Sequence, residues 1–163
     1  MSRLARNGRP FESVWDYPRP PRVEPLARRV RIELGGEVIA SSDRALRVLE
    51  TAGAPTIYLP RDDVRMDRLR PATGKTECEW KGTASYFDAV VEQEVRRRAA
   101  WTYREPRPGF EALRNHIAFY ASRVDYAYLG DERVEPQPGG FYGGWVTAEI
   151  QGPIKGDPGS EGW

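Results

Sequence analysis

Between Thr76 and Val91 polar and apolar residues alternate, the alternation stops at Gly82, and it then resumes, as expected of a β-hairpin. Read with the strand period of two, Thr76, Cys78 and Trp80 fall on one face, and Glu77, Glu79 and Lys81 on the other. Gly82 supplies the turn, because a residue without a Cβ adopts positive φ at little cost, and Thr83 to Val91 forms the returning strand.

The same pattern recurs on both sides. In Arg29 to Ala40 (RVRIELGGEVIA), Val30, Ile32 and Leu34 alternate with arginine and glutamate, and Gly35-Gly36 makes a tight turn. Val124 to Val134 turns at Gly130-Asp131. Pro55 to Pro60 holds a short strand at Ile57-Tyr58-Leu59, and a helical turn is expected between Arg61 and Leu69. Trp101 and Tyr103 share one face of a strand from Ala99 to Arg104. In His116 to Tyr120, His116, Ala118 and Tyr120 face one way and Ile117 and Phe119 the other. Ser41-Ser42-Asp43 could cap a helix through Glu50, yet Leu46 and Val48 also alternate as in a strand, and both readings stay open. Seven or eight short strands with one or two short helices describe a mainly-β domain.

Four segments follow from composition. Residues 1–13 are polar, basic and aperiodic, as expected of a mobile leader. Residues 14–25 form a Pro-rich arm, extended by its prolines, with Trp15 and Tyr17 giving it surface to bury against the domain or a second subunit. Residues 26–134 make the β domain. Residues 135–163 are rich in glycine and proline, with a short apolar strand at Val146 to Ile150. Phe141, Tyr142, Trp145 and Trp163 are large anchors, so this tail is expected to be ordered and docked on the domain or on a second copy.

Composition excludes several classes. One cysteine and one histidine preclude an internal disulfide and a Cys/His zinc set within one chain. There is no apolar leader, no run near the ~18 apolar residues of a membrane span, and no glycosylation acceptor, so a cytoplasmic protein without membrane contact is expected. Charges balance, 25 basic against 24 acidic, which provides no net field for nucleic acid. Only Lys75, Lys81 and Lys155 are lysines, so 22 of the 25 basic residues are arginine, a usage that hints at a GC-rich bacterial genome. Arg96-Arg97-Arg98 lies near Trp101, but Glu92 and Glu94 offset it, and a solvated hairpin tip is expected there.

Lys81 and Tyr86 flank Gly82 and form a candidate polar pair, because an ammonium and a phenol can both polarise a carbonyl or hold an anion. The plainer reading pairs Lys81 with Glu77 or Glu79 on a solvated face. Tyr58, Trp80, Trp101, Tyr103, Phe119 and Tyr120 could wall a pocket suited to cations, planar rings or flat amides, or could simply form core. Cys78 is expected inside as an inert thiol, and a His116–Asp125 dyad is the only one that strand adjacency suggests.

Gly35-Gly36, the run Cys78 to Tyr86 (CEWKGTASY), Ala100 to Tyr103 (AWTY) and Ala118 to Tyr120 (AFY) resemble the DUF427 domain family, as do Arg44 to Glu50, the segment Val14 to Glu24, and the tail from Pro136. The resemblance spans about 150 residues, from Val14 onward. It implies a β-tent-like fold, two antiparallel sheets meeting at an angle, and carries no known function. Some β-tent proteins hold zinc through cysteine pairs, which Cys78 alone does not permit, and others hold a small ligand in an aromatic cage. Nucleotidyl transfer, loosely attached to the family, needs clustered carboxylates for two metal ions. The only Gly-Ser is Gly159-Ser160, no Asp-x-Asp exists, and Asp62-Asp63 would point apart on a strand.

The sequence therefore points to a binding module without metal or cofactor, whose aromatic groove takes a small polar or planar ligand through Lys81, Tyr86, Trp80, Trp101, Tyr103, Tyr120, Tyr58 and Glu50. A cofactor-independent enzyme using Lys81, Tyr86 and Glu50, and a homodimer gripped through the terminal arms, are the alternatives.

Overall fold

The computed structural model describes residues 4–160 and 163. In chain order its strands are β1 (Glu12–Ser13), β2 (Arg22–Pro25), β3 (Val30–Leu34), β4 (Glu37–Ser42), β5 (Leu46–Leu49) and β6 (Thr56–Pro60). There follow β7 (Leu69–Cys78), β8 (Gly82–Val91), β9 (Glu94–Tyr103), β10 (His116–Phe119), β11 (Tyr126–Leu129) and β12 (Glu132–Arg133). The tail adds β13 (Glu135–Pro136), β14 (Trp145–Val146) and β15 (Ile150–Gln151). Helical structure among the described residues is confined to five three-residue 3-10 turns, two of them between Arg61 and Arg68.

The fold is mainly β, with two principal antiparallel sheets. The larger has seven strands in the order β2-β5-β6-β10-β9-β8-β7, and the smaller four, β12-β11-β3-β4. The stretch from Ser41 to Glu50 that the sequence left open contains strand β5, which pairs with β2 and β6. A local cap could not hold a helix there, because Val48 and Leu49 are buried on opposite faces of the sheet, as strand geometry requires.

Alternation assigns each face. Ile57, Leu59, Phe87, Ala89, Ile117 and Phe119 of the large sheet meet Val30, Ile32, Leu34, Ala127 and Leu129 of the small one in a single core. Full burial of each Ile, Leu or Phe contributes roughly 1.5–3 kcal/mol. Phe119, a candidate pocket wall in the sequence, belongs to this core and is fully buried. The opposite face of the large sheet carries Val48, Tyr58, Tyr86, Trp101, Tyr103, Ala118 and Tyr120.

Both terminal segments pack on the domain. From Ala5 onward the expected leader is anchored: Ala5 is buried, Asn7 Nδ2 donates to Glu132 and Glu149 at 2.7 and 2.9 Å, and β1 runs parallel to β15. Such partners replace the solvent that would otherwise keep a polar segment free. Met1 to Arg3, which also fall within that expected leader, lie outside the described residues. In the arm, β2 becomes the edge strand of the large sheet, and Trp15 Nε1 donates to the Pro153 carbonyl at 2.8 Å. The strand expected at Val146 to Ile150 divides into β14 and β15 around a turn in which Ile150 N donates to Thr147 O. Trp145 is buried and donates to the Phe119 carbonyl at 2.9 Å, whereas Phe141, expected as an anchor, is 72% exposed.

Candidate functional site

The aromatic face is built by register. Tyr58 on β6 stands opposite Ala118 on β10, Ala118 opposite Trp101 on β9, and Trp101 opposite Tyr86 on β8. Because Ala118 is small, the two large rings beside it approach each other across β10. Their centroids lie 6.1 Å apart, edge to face, and Trp101 Nε1 donates to Tyr58 Oη at 3.3 Å. Tyr103 stands 6.4 Å from Tyr58, and Tyr120 tilts onto Trp101 at 4.7 Å. Tyr86 Oη bonds Thr76 Oγ1 at 2.7 Å.

The hairpin turn delivers the charge. β7 ends at Cys78 and β8 starts at Gly82, so Glu79-Trp80-Lys81 form the connection and the period of two lapses. Gly82 has φ +115°, and a Cβ on it would lie 3.3 Å from the Glu105 carbonyl. Lys81 consequently lies on the side of Cys78, only 9% exposed, and not on the solvated face assigned by alternation. Glu77, its expected partner, instead pairs with Arg107 at 3.4 Å and accepts from Thr83. Burial works against the Lys81 ammonium, but Tyr58, Cys78 and Glu50 together hold its pKa above the ordinary lysine value.

The tail closes the other side. Ala54 N donates to Gln137 Oε1 at 3.0 Å, and Gln137 Nε2 donates to the Lys155 carbonyl at 2.7 Å. These bonds bring Tyr142, Gly143 and Gly144 over the aromatic row. Floor and roof enclose a cavity of about 330 Å³. Glu50, Tyr58, Lys81, Tyr86, Trp101, Tyr103 and Tyr120 all line it. Trp80 does not; it lies half-buried at the edge of the aromatic cluster. Cys78, expected as inert core, is a half-buried free thiol lining the cavity, because its face of β7 joins the aromatic outer face of the large sheet and not the core between the sheets.

Sequence reasoning missed Thr76, Gln137, Tyr142, Gly143 and Lys155 in this lining. Only the position of Thr76, on the face of Cys78, signalled its place. The tail residues come from a segment whose aromatic anchors signalled docking, but no local pattern encodes where on the domain it docks.

Burial pushes the phenols of Tyr58 and Tyr103 upward, and that of Tyr120 to about 12. At neutral pH these groups are neutral donors. Arg98 and Arg123 stack on the outer rings, with guanidinium carbons 3.9 and 4.0 Å from the centroids of Tyr86 and Tyr120. Of the basic run, Arg96 pairs with Glu94 at 3.2 Å, as the sequence suggested, and with Asp125 at 2.7 Å, and only Arg97 is left exposed. The His116–Asp125 dyad does not form: His116 Nδ1 contacts the Arg114 carbonyl at 2.9 Å, and Asp125 is engaged by Arg96 and by Gly35 N.

A second cavity, about 250 Å³, lies among Arg28, Arg47, Glu12, Glu24 and Glu149. Its buried charges are paired: Arg28 with Glu149 and Glu132, and Arg47 with Glu12 and Glu24. The aromatic cavity differs in holding a buried ammonium with no ion pair among the described residues. Those residues include no cluster of three or more histidine, cysteine, aspartate or glutamate side chains arranged to hold a metal, and no helix long and apolar enough to cross a membrane.

Two antiparallel sheets, with an aromatic cavity on the outer face of the larger, define the class. A family model described as "Domain of unknown function (DUF427)" matches residues 22–130, more than half of the chain, and the protein belongs to that family. The match covers the floor of the cavity and Lys81, while Gln137, Tyr142 to Gly144 and Lys155 of the roof lie beyond it. A search of curated proteins finds no match.

Proposed function

We propose that the protein is a small-ligand binding module whose aromatic groove accepts a flat, polar molecule. The observation that carries this reading is that the row Tyr58, Trp101, Tyr86 and a buried lysine line one cavity. Rigid aromatic walls with a few convergent polar groups are the usual make-up of small-molecule sites. A planar ligand gains area against Trp101 and Tyr120, and Lys81 and Tyr58 supply polar contacts that orient it. The terminal arms, weighed above as a dimer grip, are engaged within their own chain, so no second copy is needed to complete the cavity. A cytosolic setting suits an unpaired thiol that lines a cavity, since such a group stays reduced there.

A thermal-shift screen with cyclic amides, nucleosides, methylated amines and aromatic acids tests this function. A hit should raise the melting temperature and quench tryptophan emission in the wild type, and do neither in Trp101→Leu. Silence across the panel would sink the reading.

A further inference from the structure

We infer that the ligand of this cavity is a small planar organic anion, an aryl or heteroaryl carboxylate whose acid group docks on Lys81. The inference rests on the binding-module reading and adds the charge of the ligand.

Lys81 is nine-tenths buried, lines the cavity, and makes no ion pair among the described residues. An ammonium so enclosed loses hydration that only an anion or several acceptors replace well. The groups next to it are weak replacements. The Tyr58 phenol is held neutral by burial, and Glu50 is the one nearby carboxylate. Glu77, the other carboxylate of the lining, is held by Arg107 and Thr83. Lys155 on the roof adds a second positive charge.

Donors converge as well. Tyr58 Oη accepts from Trp101 Nε1 and, as a neutral phenol, also carries an O–H that can donate. Beside Lys81 this makes a cation and a phenolic O–H available to a pair of carboxylate oxygens, with indole and phenol rings flanking the plane to which that carboxylate is attached. A cationic ligand would instead find Lys81 and Lys155 opposing it.

The experiment compares benzoate, benzamide and benzylamine, equal in shape and different in charge, by calorimetry or protein-observed NMR titration of the whole chain. Benzoate is expected to bind at least about tenfold more tightly than benzamide, as one charge-assisted hydrogen bond implies. Lys81→Met should remove that preference while leaving benzamide binding in place, and Lys81→Arg should retain part of it. Equal or tighter binding of benzamide or benzylamine overturns the anion and leaves the binding module standing. So does binding of a neutral ligand from the wider screen while benzoate stays silent. If no compound in either set binds, the module reading falls and the anion with it. A measurement free of any variant is the pH profile of the wild type: affinity for benzoate should weaken as acid converts it to neutral benzoic acid, and strengthening would refute the inference.

Discussion

The backbone of Gly143 rests on the Trp101 indole, so closely that a Cβ built on it would stand 2.2 Å from Cη2 of the ring. Trp101 cannot retreat, because Tyr58 and Tyr120 flank it at 6.1 and 4.7 Å. Gly143→Ala should therefore lift the tail from the aromatic row and cost about 1–3 kcal/mol, the usual price of overpacking. A fall in melting temperature with a red shift of tryptophan emission is the expected pair of signals. A variant with wild-type values for both would mean that the tail does not bear on Trp101.

Alkaline pH should destabilise the fold through its tyrosines. Burial raises the pKa of Tyr17, Tyr58, Tyr103 and Tyr120, so in the unfolded chain, where the phenol titrates near pH 10, these groups ionise first. Groups raised on folding contribute stability that is intact below the unfolded value and declines as pH climbs past it. Urea midpoints should accordingly be flat up to about pH 9 and fall beyond pH 10. Tyrosinate absorbance from the buried phenols should appear together with unfolding. Full ionisation of all tyrosines in a still-folded protein would contradict their burial.

Much of the fold was legible because it is written in short-range patterns. Gly35-Gly36 and Gly130-Asp131 set their turns, and the alternation of Ile117 and Phe119 against Ala118 and Tyr120 assigned both faces of β10 correctly. The face of Lys81 was not legible, since a three-residue turn interrupts the period on which the assignment relied. Nor was the roof. Gln137 reaches Ala54 across 83 positions, and nothing local in a glycine-rich segment marks that contact. The strand at Leu46 to Leu49 was ambiguous for a third reason: four residues satisfy a helical and an extended pattern equally, and only pairing with β2 and β6 decides between them.

Cys78 should react in the native state. It is a half-buried thiol on the wall of an open cavity, beside the Lys81 ammonium, which favours an approaching anionic reagent. A disulfide-exchange reagent bearing carboxylates should label the folded protein at one thiol per chain without denaturant. Labelling that requires denaturant would return Cys78 to the core.

The clamp on the N-terminal segment makes the last prediction. Arg28, 8% exposed at its side chain, joins Glu132 at 3.1 Å and Glu149 at 3.3 Å, and Asn7 bonds the same two carboxylates. Arg28→Met leaves both acids without their cation, and breaking a buried pair in this way typically costs about 3–5 kcal/mol. Burial alone would raise the Glu132 pKa, yet Asn7, Ala148 N and Arg28 together hold it below the ordinary glutamate value. A carboxyl lowered on folding lends stability above the unfolded value and loses it as pH falls through the folded one. Without Arg28 the burial of Glu132 weighs more heavily, so the acid midpoint of the variant should move to higher pH. The triple variant Arg28→Met, Glu132→Gln, Glu149→Gln should recover part of the loss and blunt the acid shift, because its groups carry no charge to leave stranded. An acid transition unmoved by Arg28→Met would show that the uncharged donors Asn7 Nδ2 and Ala148 N suffice to hold these carboxylates.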